Sequence, residues 1–164
     1  MRRAHLLLLA ALIAGCQTIT DMEGDADGTD ELCPALQSFA EGIPAGQAQR
    51  VTLRTFWDAQ PAIACERPDT APARTFCRYL STSSSIEFMS TNIRRVMDCA
   101  GIDYPETPDE LDRMVGQVST LDPAFTRRAV KLDLIFDTTG EAQRAPFLTI
   151  ALTPQKKGQG RNQE

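Results

Sequence analysis

The chain has 164 residues, 42% of them hydrophobic and 24% charged, with a formal net charge of −5. That is enough chain for one core but not two, and the near-average composition excludes a collagen-like, wholly disordered or multi-pass membrane protein. The acidic balance also argues against nucleic acid as the main partner, because phosphate contacts require a basic surface.

The first element is an export signal. Met1-Arg2-Arg3-Ala4-His5 gives a basic start, an apolar run follows from Leu6 to Ala14, and Gly15 and Cys16 close the stretch. The run is too short to span a bilayer as a mature helix. Leu12-Ile13-Ala14-Gly15-Cys16 resembles the lipobox of bacterial lipoproteins. The resemblance covers only about the first 17 residues. It implies cleavage after residue 15, a diacylglycerol on the Cys16 sulfur and acylation of the new amine. Arg2-Arg3 lacks the surroundings of a twin-arginine signal, so Sec export is the simpler route. The same resemblance implies, from Gln17 where an inner-membrane lipoprotein carries aspartate, an anchor in the outer membrane, facing the periplasm. Two or three acyl chains hold a protein at a membrane without a transmembrane helix.

Removing residues 1–15 leaves 149 residues with 15 basic against 22 acidic side chains, a formal charge of −7, and no histidine. Serine–histidine and cysteine–histidine hydrolases, imidazole-ligated zinc and a histidine base are thereby excluded from the mature chain. Residues 16–31 are expected to be a lipidated cysteine and a solvated tether. Asp21, Glu23, Asp25, Asp27, Asp30 and Glu31 lie there without a single Lys or Arg; such a segment buries too little apolar surface to order itself. The Asp25-Ala26-Asp27-Gly28-Thr29-Asp30 spacing misplaces the glycine of a calcium loop, and Leu36 stands where its closing Glu belongs, so no metal is expected.

A single globular domain is expected over residues 32–154. Asp30 to Ala40 has a helical stripe of Leu32, Leu36 and Phe39, with Pro34 in the first turn and Gly42 and Pro44 beyond the end. Val51, Leu53 and Trp57 alternate with Thr52, Arg54 and Phe56 as in a strand, Thr55 interrupting the apolar face. Gln60 to Pro72 is expected to be a proline-bearing loop, and a helix follows from Ala73 to about Leu80, ending at the Ser/Thr cluster 81–85. Ser84 and Glu87 match a capping box, opening a helix with Ile86, Met89, Ile93, Val96 and Met97 on one face and its end at Cys99 and Gly101. Thr107-Pro108-Asp109-Glu110 repeats the device, with Leu111, Met114 and Val118 as the stripe of a further helix. This makes the Pro105-to-Pro108 P-x-x-P match helix punctuation.

The period then changes. Val130, Leu132, Leu134 and Phe136 alternate with Lys131 and Asp133, Asp137-Thr138-Thr139-Gly140 supplies turn residues, and Phe147 to Leu152 returns, as in a β-hairpin. The expected class is α+β: a small antiparallel sheet of about three strands packed against three or four helices, with two disulfides. Residues 155–164 are polar and are expected to be a disordered tail.

The four cysteines left in the mature domain, Cys33, Cys65, Cys77 and Cys99, lack C-x-x-C spacing, and an even number in an exported chain implies two bridges with three connectivities. Cys65–Cys77 with Cys33–Cys99 is preferred, because it joins a loop to the neighbouring helix and ties the first helix to the last cysteine.

Enzymatic signals are thin. The run Ser81 to Ser85 has neither S-x-x-K nor G-x-S-x-G and no histidine base, so it reads as helix break and cap. Paired carboxylates such as Glu87, Asp133 and Asp137 are the one remaining route, toward hydrolysis of the glycan wall. Asn92, on an otherwise apolar helical row, either bonds a loop backbone or reaches a ligand. Phe56 and Trp57, at a strand end before the proline-bearing loop, are the candidate partner anchors. The expected function is a non-catalytic, cofactor-free binding module for an envelope protein or the wall, of accessory or immunity/inhibitor type. A carboxylate-dependent peptidoglycan hydrolase is the alternative.

Overall fold

Apolar stripes at helical spacing and apolar alternation at strand spacing meet in two layers, three helices on one face of a five-stranded antiparallel sheet. The computed structural model describes residues 31–56, 60–104, 113–140 and 145–155. In chain order these form α1 (Leu32–Gly42), β1 (Gln49–Phe56), β2 (Ala62–Glu66), α2 (Ala71–Ser83), α3 (Met89–Ala100), β3 (Val115–Thr120), β4 (Val130–Asp137) and β5 (Phe147–Pro154). The expected signal, Cys16, most of the acidic tether, Trp57, the Pro105-to-Pro108 stretch and most of the tail lie outside the described residues.

The sheet order is β2-β1-β5-β4-β3. The C-terminal β4–β5 pair is therefore stitched to the N-terminal β1–β2 hairpin through β1 and β5, with Val51 opposite Ile150 and Leu53 opposite Leu148. One sheet face, built from Val51, Leu53, Leu132, Leu134, Phe136, Leu148, Ile150 and Leu152, is buried against Leu36, Phe39, Phe76, Leu80, Ile93 and Val96 of the helices. Phe39 and Phe76 stack with centroids 4.9 Å apart, fixing α1 on α2. α2 packs on β1 and β2, α3 on β5, and α1 lies against both of these helices.

Both bridges tie a helix to its surroundings. Cys33–Cys99 joins the first turn of α1 to the last turn of α3, and Cys65–Cys77 pins edge strand β2 beneath α2. The α3 end is closed at Gly101, whose φ of 67° is the left-handed conformation that glycine adopts without strain, while the Ile102 N–H bonds Met97 O at 3.0 Å. The open carbonyls at the end of α1 are taken by Arg128, whose Nη1 donates to Ala40 O at 2.8 Å and Glu41 O at 3.0 Å.

Four expectations need correction. The sheet has five strands instead of about three, and three helices are present among the described residues. Within the expected loop Gln60 to Pro72 lies β2, a five-residue edge strand that starts directly after Pro61, where the missing N–H costs no ladder bond. Of the helix expected from Thr107, residues 107–112 lie outside the described residues, and Val118, the last of its stripe, stands instead in β3, paired with β4 from Val115 opposite Asp137 to Thr120 opposite Leu132. Gly116 faces Phe136 in that ladder, and a Cβ on residue 116 would stand 2.6 Å from the Phe136 ring, so the glycine makes room for a buried aromatic across the strand.

The fourth correction concerns the start of α3, at Met89, and the way it is capped. No side-chain bond runs from Ser84 or Glu87; instead Ser85 Oγ accepts the Phe88 N–H at 3.1 Å, and Ile86 is left exposed in the turn. Upstream, Ser81 Oγ donates to Cys77 O and Thr82 Oγ1 to Tyr79 O, back-bonds that carry α2 on to Ser83.

Candidate functional site

Because β1 runs between β2 and β5, its second set of side chains forms a row on the uncovered face: Arg50, Thr52, Arg54 and Phe56. Across from it stand Ala62, Ala64 and Glu66 of β2 and Phe147, Thr149 and Ala151 of β5. The row continues over β4 as Lys131, Asp133, Ile135 and Asp137, and over β3 as Val115, Gln117 and Ser119. No described helix covers this face, and Phe56, Ile135 and Val115 are exposed on it.

Short side chains among long ones make a hollow of about 490 Å³ here. Its floor is Thr52 and Thr149, directly opposite in the ladder, with hydroxyls 2.9 Å apart. Arg50, Arg54, Arg67 and Glu66 line its sides. Arg54 is held in place: its Nε donates to Glu66 Oε1 at 2.7 Å and its guanidinium lies 5.2 Å from the Phe147 ring centroid. Arg67 is set by the turn into α2, which Thr70 Oγ1 ties to β1 through a 2.6 Å bond to Gln49 Oε1. Asp69 is claimed by Arg74 at 2.6 Å, leaving Arg67 a looser contact at 3.7 Å. Arg50 has no carboxylate partner among the described residues. The lining thus holds three guanidinium groups and one carboxylate, with Asp69 beside Arg67 but bound mainly to Arg74, a local excess of positive charge on an acidic chain.

The carboxylates elsewhere on this face have structural work. Asp133 accepts from Lys131 Nζ at 2.7 Å and from Ser119 Oγ. Burial alone would raise its pKa, but those two hydrogen bonds and the Lys131 charge outweigh it and hold the carboxyl below its ordinary range. Asp137 accepts the Thr139 N–H and hydroxyl at 2.9 and 2.7 Å, closing the turn after β4. Asp133 and Asp137 stand four residues apart on one strand face, their Cα atoms about 13 Å apart, and each carboxylate is engaged in its own hydrogen bonds. Glu87 lies in the turn before α3, in the helix layer, so the sheet separates it from both. No group of three or more metal-ligating side chains occurs among the described residues.

Of the two anchors expected from the sequence, Phe56 sits on the uncovered face, 37% exposed, at the far end of the row that begins with Arg50; Trp57 lies outside the described residues. Asn92 is 3% exposed and faces inward. Its Oδ1 accepts the Ser85 N–H and its Nδ2 donates to Ser85 O, both at 2.8 Å, which fixes the α2–α3 turn and leaves no amide group directed at a ligand. The hollow itself was not anticipated. The alternation Arg50-Thr52-Arg54 marks an outward row in the sequence, but Glu66, Arg67 and Thr149 join it only through pairing with β2 and β5. A second hollow of about 430 Å³ lies between α1 and α2, against Phe39, Pro72, Phe76 and Tyr79. No family model, curated protein or solved structure matches the chain.

Proposed function

We propose that the protein is a lipid-anchored envelope module, held through Cys16 at the outer membrane on the periplasmic side, that binds another envelope protein or the wall without catalysing a reaction. The carrying observation is the uncovered sheet face, which holds a polar hollow with arginine sides and also exposes Phe56, Ile135 and Val115. A recognition surface of this kind combines exposed aromatic and arginine side chains with a rigid scaffold. Two disulfides suit an oxidising compartment. No described helix is long and apolar enough to cross a membrane, and the support for attachment is the lipobox-like start, Leu12 to Cys16.

The test has two arms. Cys16→Ser, or globomycin treatment, is expected to shift the protein from the membrane fraction to an unprocessed or soluble form; unchanged membrane attachment overturns the anchor. The parent chain is expected to retain an envelope protein or sediment with isolated sacculi, and to lose this with Phe56→Ala, while releasing no muropeptides. Muropeptide release that disappears in Asp133→Asn would overturn the binding-module reading in favour of a hydrolase.

A further inference from the structure

We propose that the hollow between β1, β2 and β5 is the site at which an acidic peptide segment of the partner binds in extended conformation. This deepens the binding-module reading and rests on it for the partner's existence, but its chemistry is argued from the hollow alone.

Charge selects an anion. Arg50, Arg54 and Arg67 line the hollow with one carboxylate, Glu66, which already receives the Arg54 Nε–H, while Asp69 stands outside the lining, bound to Arg74 and 3.7 Å from Arg67. Both terminal nitrogens of Arg54 remain without a protein acceptor among the described residues, and so does the guanidinium of Arg50. Guanidinium groups offer paired N–H donors matched to carboxylates, and contact with Glu66 and Phe147 holds the Arg54 fork before a ligand arrives. The chain as a whole carries −5, so a local positive hollow is a feature that an acidic ligand can distinguish from the rest of the surface.

Spacing selects an extended peptide over a single small anion. Arg50 and Arg54 share one strand face with Thr52 between them, so their Cα atoms stand about 13 Å apart. An extended chain laid along β1 repeats its same-side side chains every two residues, so acidic groups four residues apart meet both arginines. The Thr52–Thr149 hydroxyl pair lies on the floor between them, able to donate or accept toward a peptide group. The row ends at exposed Phe56, where an apolar side chain of the same segment finds contact. The hollow is walled by strand faces and the turn before α2, and no helix N-terminus lines it, unlike a site built for one phosphate.

The experiment uses the full chain in detergent and a fluorescently labelled, end-blocked peptide of about eight residues with Asp at every second position. Binding is read by anisotropy. The parent is expected to bind, with affinity falling severalfold as salt rises from about 50 to about 300 mM. The all-Asn peptide, and the Arg50→Gln/Arg67→Gln chain, are each expected to weaken binding by roughly tenfold or more. Both arginines are partly or fully solvent-facing, so the urea midpoint of the variant serves as its folding control. Equal binding by the Asn peptide or by the double variant overturns the proposal. So does inorganic phosphate that displaces the peptide at equal concentration, which marks a simple anion site. A roughly tenfold rise in peptide affinity after Asp21, Glu23, Asp25 and Asp27 are changed to Asn would identify the chain's own acidic segment as occupant and overturn the partner assignment. If the double variant still retains the partner in the envelope assay, the hollow is wrong and the binding-module reading stands. If the peptide binds but nothing from the envelope is retained, the reverse holds.

Discussion

Removing the Cys33–Cys99 bridge is expected to destabilise the protein more than removing Cys65–Cys77. Each bridge closes a loop in the unfolded chain and lowers its entropy by an amount that grows with the logarithm of loop length. The separations are 66 and 12 residues, corresponding to about 4 and about 3 kcal/mol at room temperature. The short loop lies inside the long one, and closing it first reduces the larger figure by only about 0.2 kcal/mol, so the two contributions nearly add. Packing losses do not reverse the order, since Cys77 and Cys99 are both buried. Together the bridges contribute about 7 kcal/mol, comparable to the whole stability of a domain this size. Urea unfolding of the full chain as parent, Cys33→Ala/Cys99→Ala and Cys65→Ala/Cys77→Ala measures the order directly, with m-values checking that the unfolded states compare. The fully reduced chain is expected to be marginally folded at best. A reversed order, or a bridge-free chain as stable as the parent, refutes the reasoning.

Three further outcomes follow from single contacts. Asn92→Ala strands both backbone groups of Ser85 and is expected to cost about 2 kcal/mol, and Asn92→Leu no less, because neither side chain replaces the bonds; a loss under about 0.5 kcal/mol in urea would contradict this. Gly116→Ala would ordinarily stabilise a strand, yet here it is expected to cost about 1–2 kcal/mol by overpacking Phe136, with Phe136→Leu relieving the added strain in a double-mutant cycle; a stabilised single variant would contradict it. Asp133 is depressed below its ordinary 3.8, so its ionised form is favoured by folding: the contribution is present above that value and lost as pH falls through the lower folded value. Asp133→Asn is expected to cost about 0.5–1 kcal/mol at neutral pH, the gap to the parent closing below about pH 4; a gap that widens in acid would reverse the assignment.

Local pattern alone determined the elements whose burial is one-sided and strong. The stripes Leu32-Leu36-Phe39 and Ile93-Val96-Met97 and the alternation from Val130 to Phe136 announce α1, α3 and β4, because residues facing a common core must recur at the period of their backbone. The four cysteines within residues 32–154 and the lipobox-like start are likewise properties of composition and order. Where the local signal is weak, the tertiary partner decides. Val115 to Thr120 is an edge strand whose side chains are at most half-buried, and it becomes β3 because β4 offers a free ladder and Phe136 fills the space beside Gly116. Ala62 to Glu66 becomes β2 by pairing with β1 and through its bridge to α2. The capping choice of Ser85 over Ser84 follows from Asn92, seven residues away, gripping the Ser85 backbone. The hollow is the extreme case: Thr149 is 97 residues from the Thr52 it meets, and only the β1–β5 pairing between opposite ends of the domain sets that pair beneath three arginines. Periodicity encodes which side of an element is apolar, whereas the neighbour presented to the other side is a consequence of sheet order, which no single segment contains.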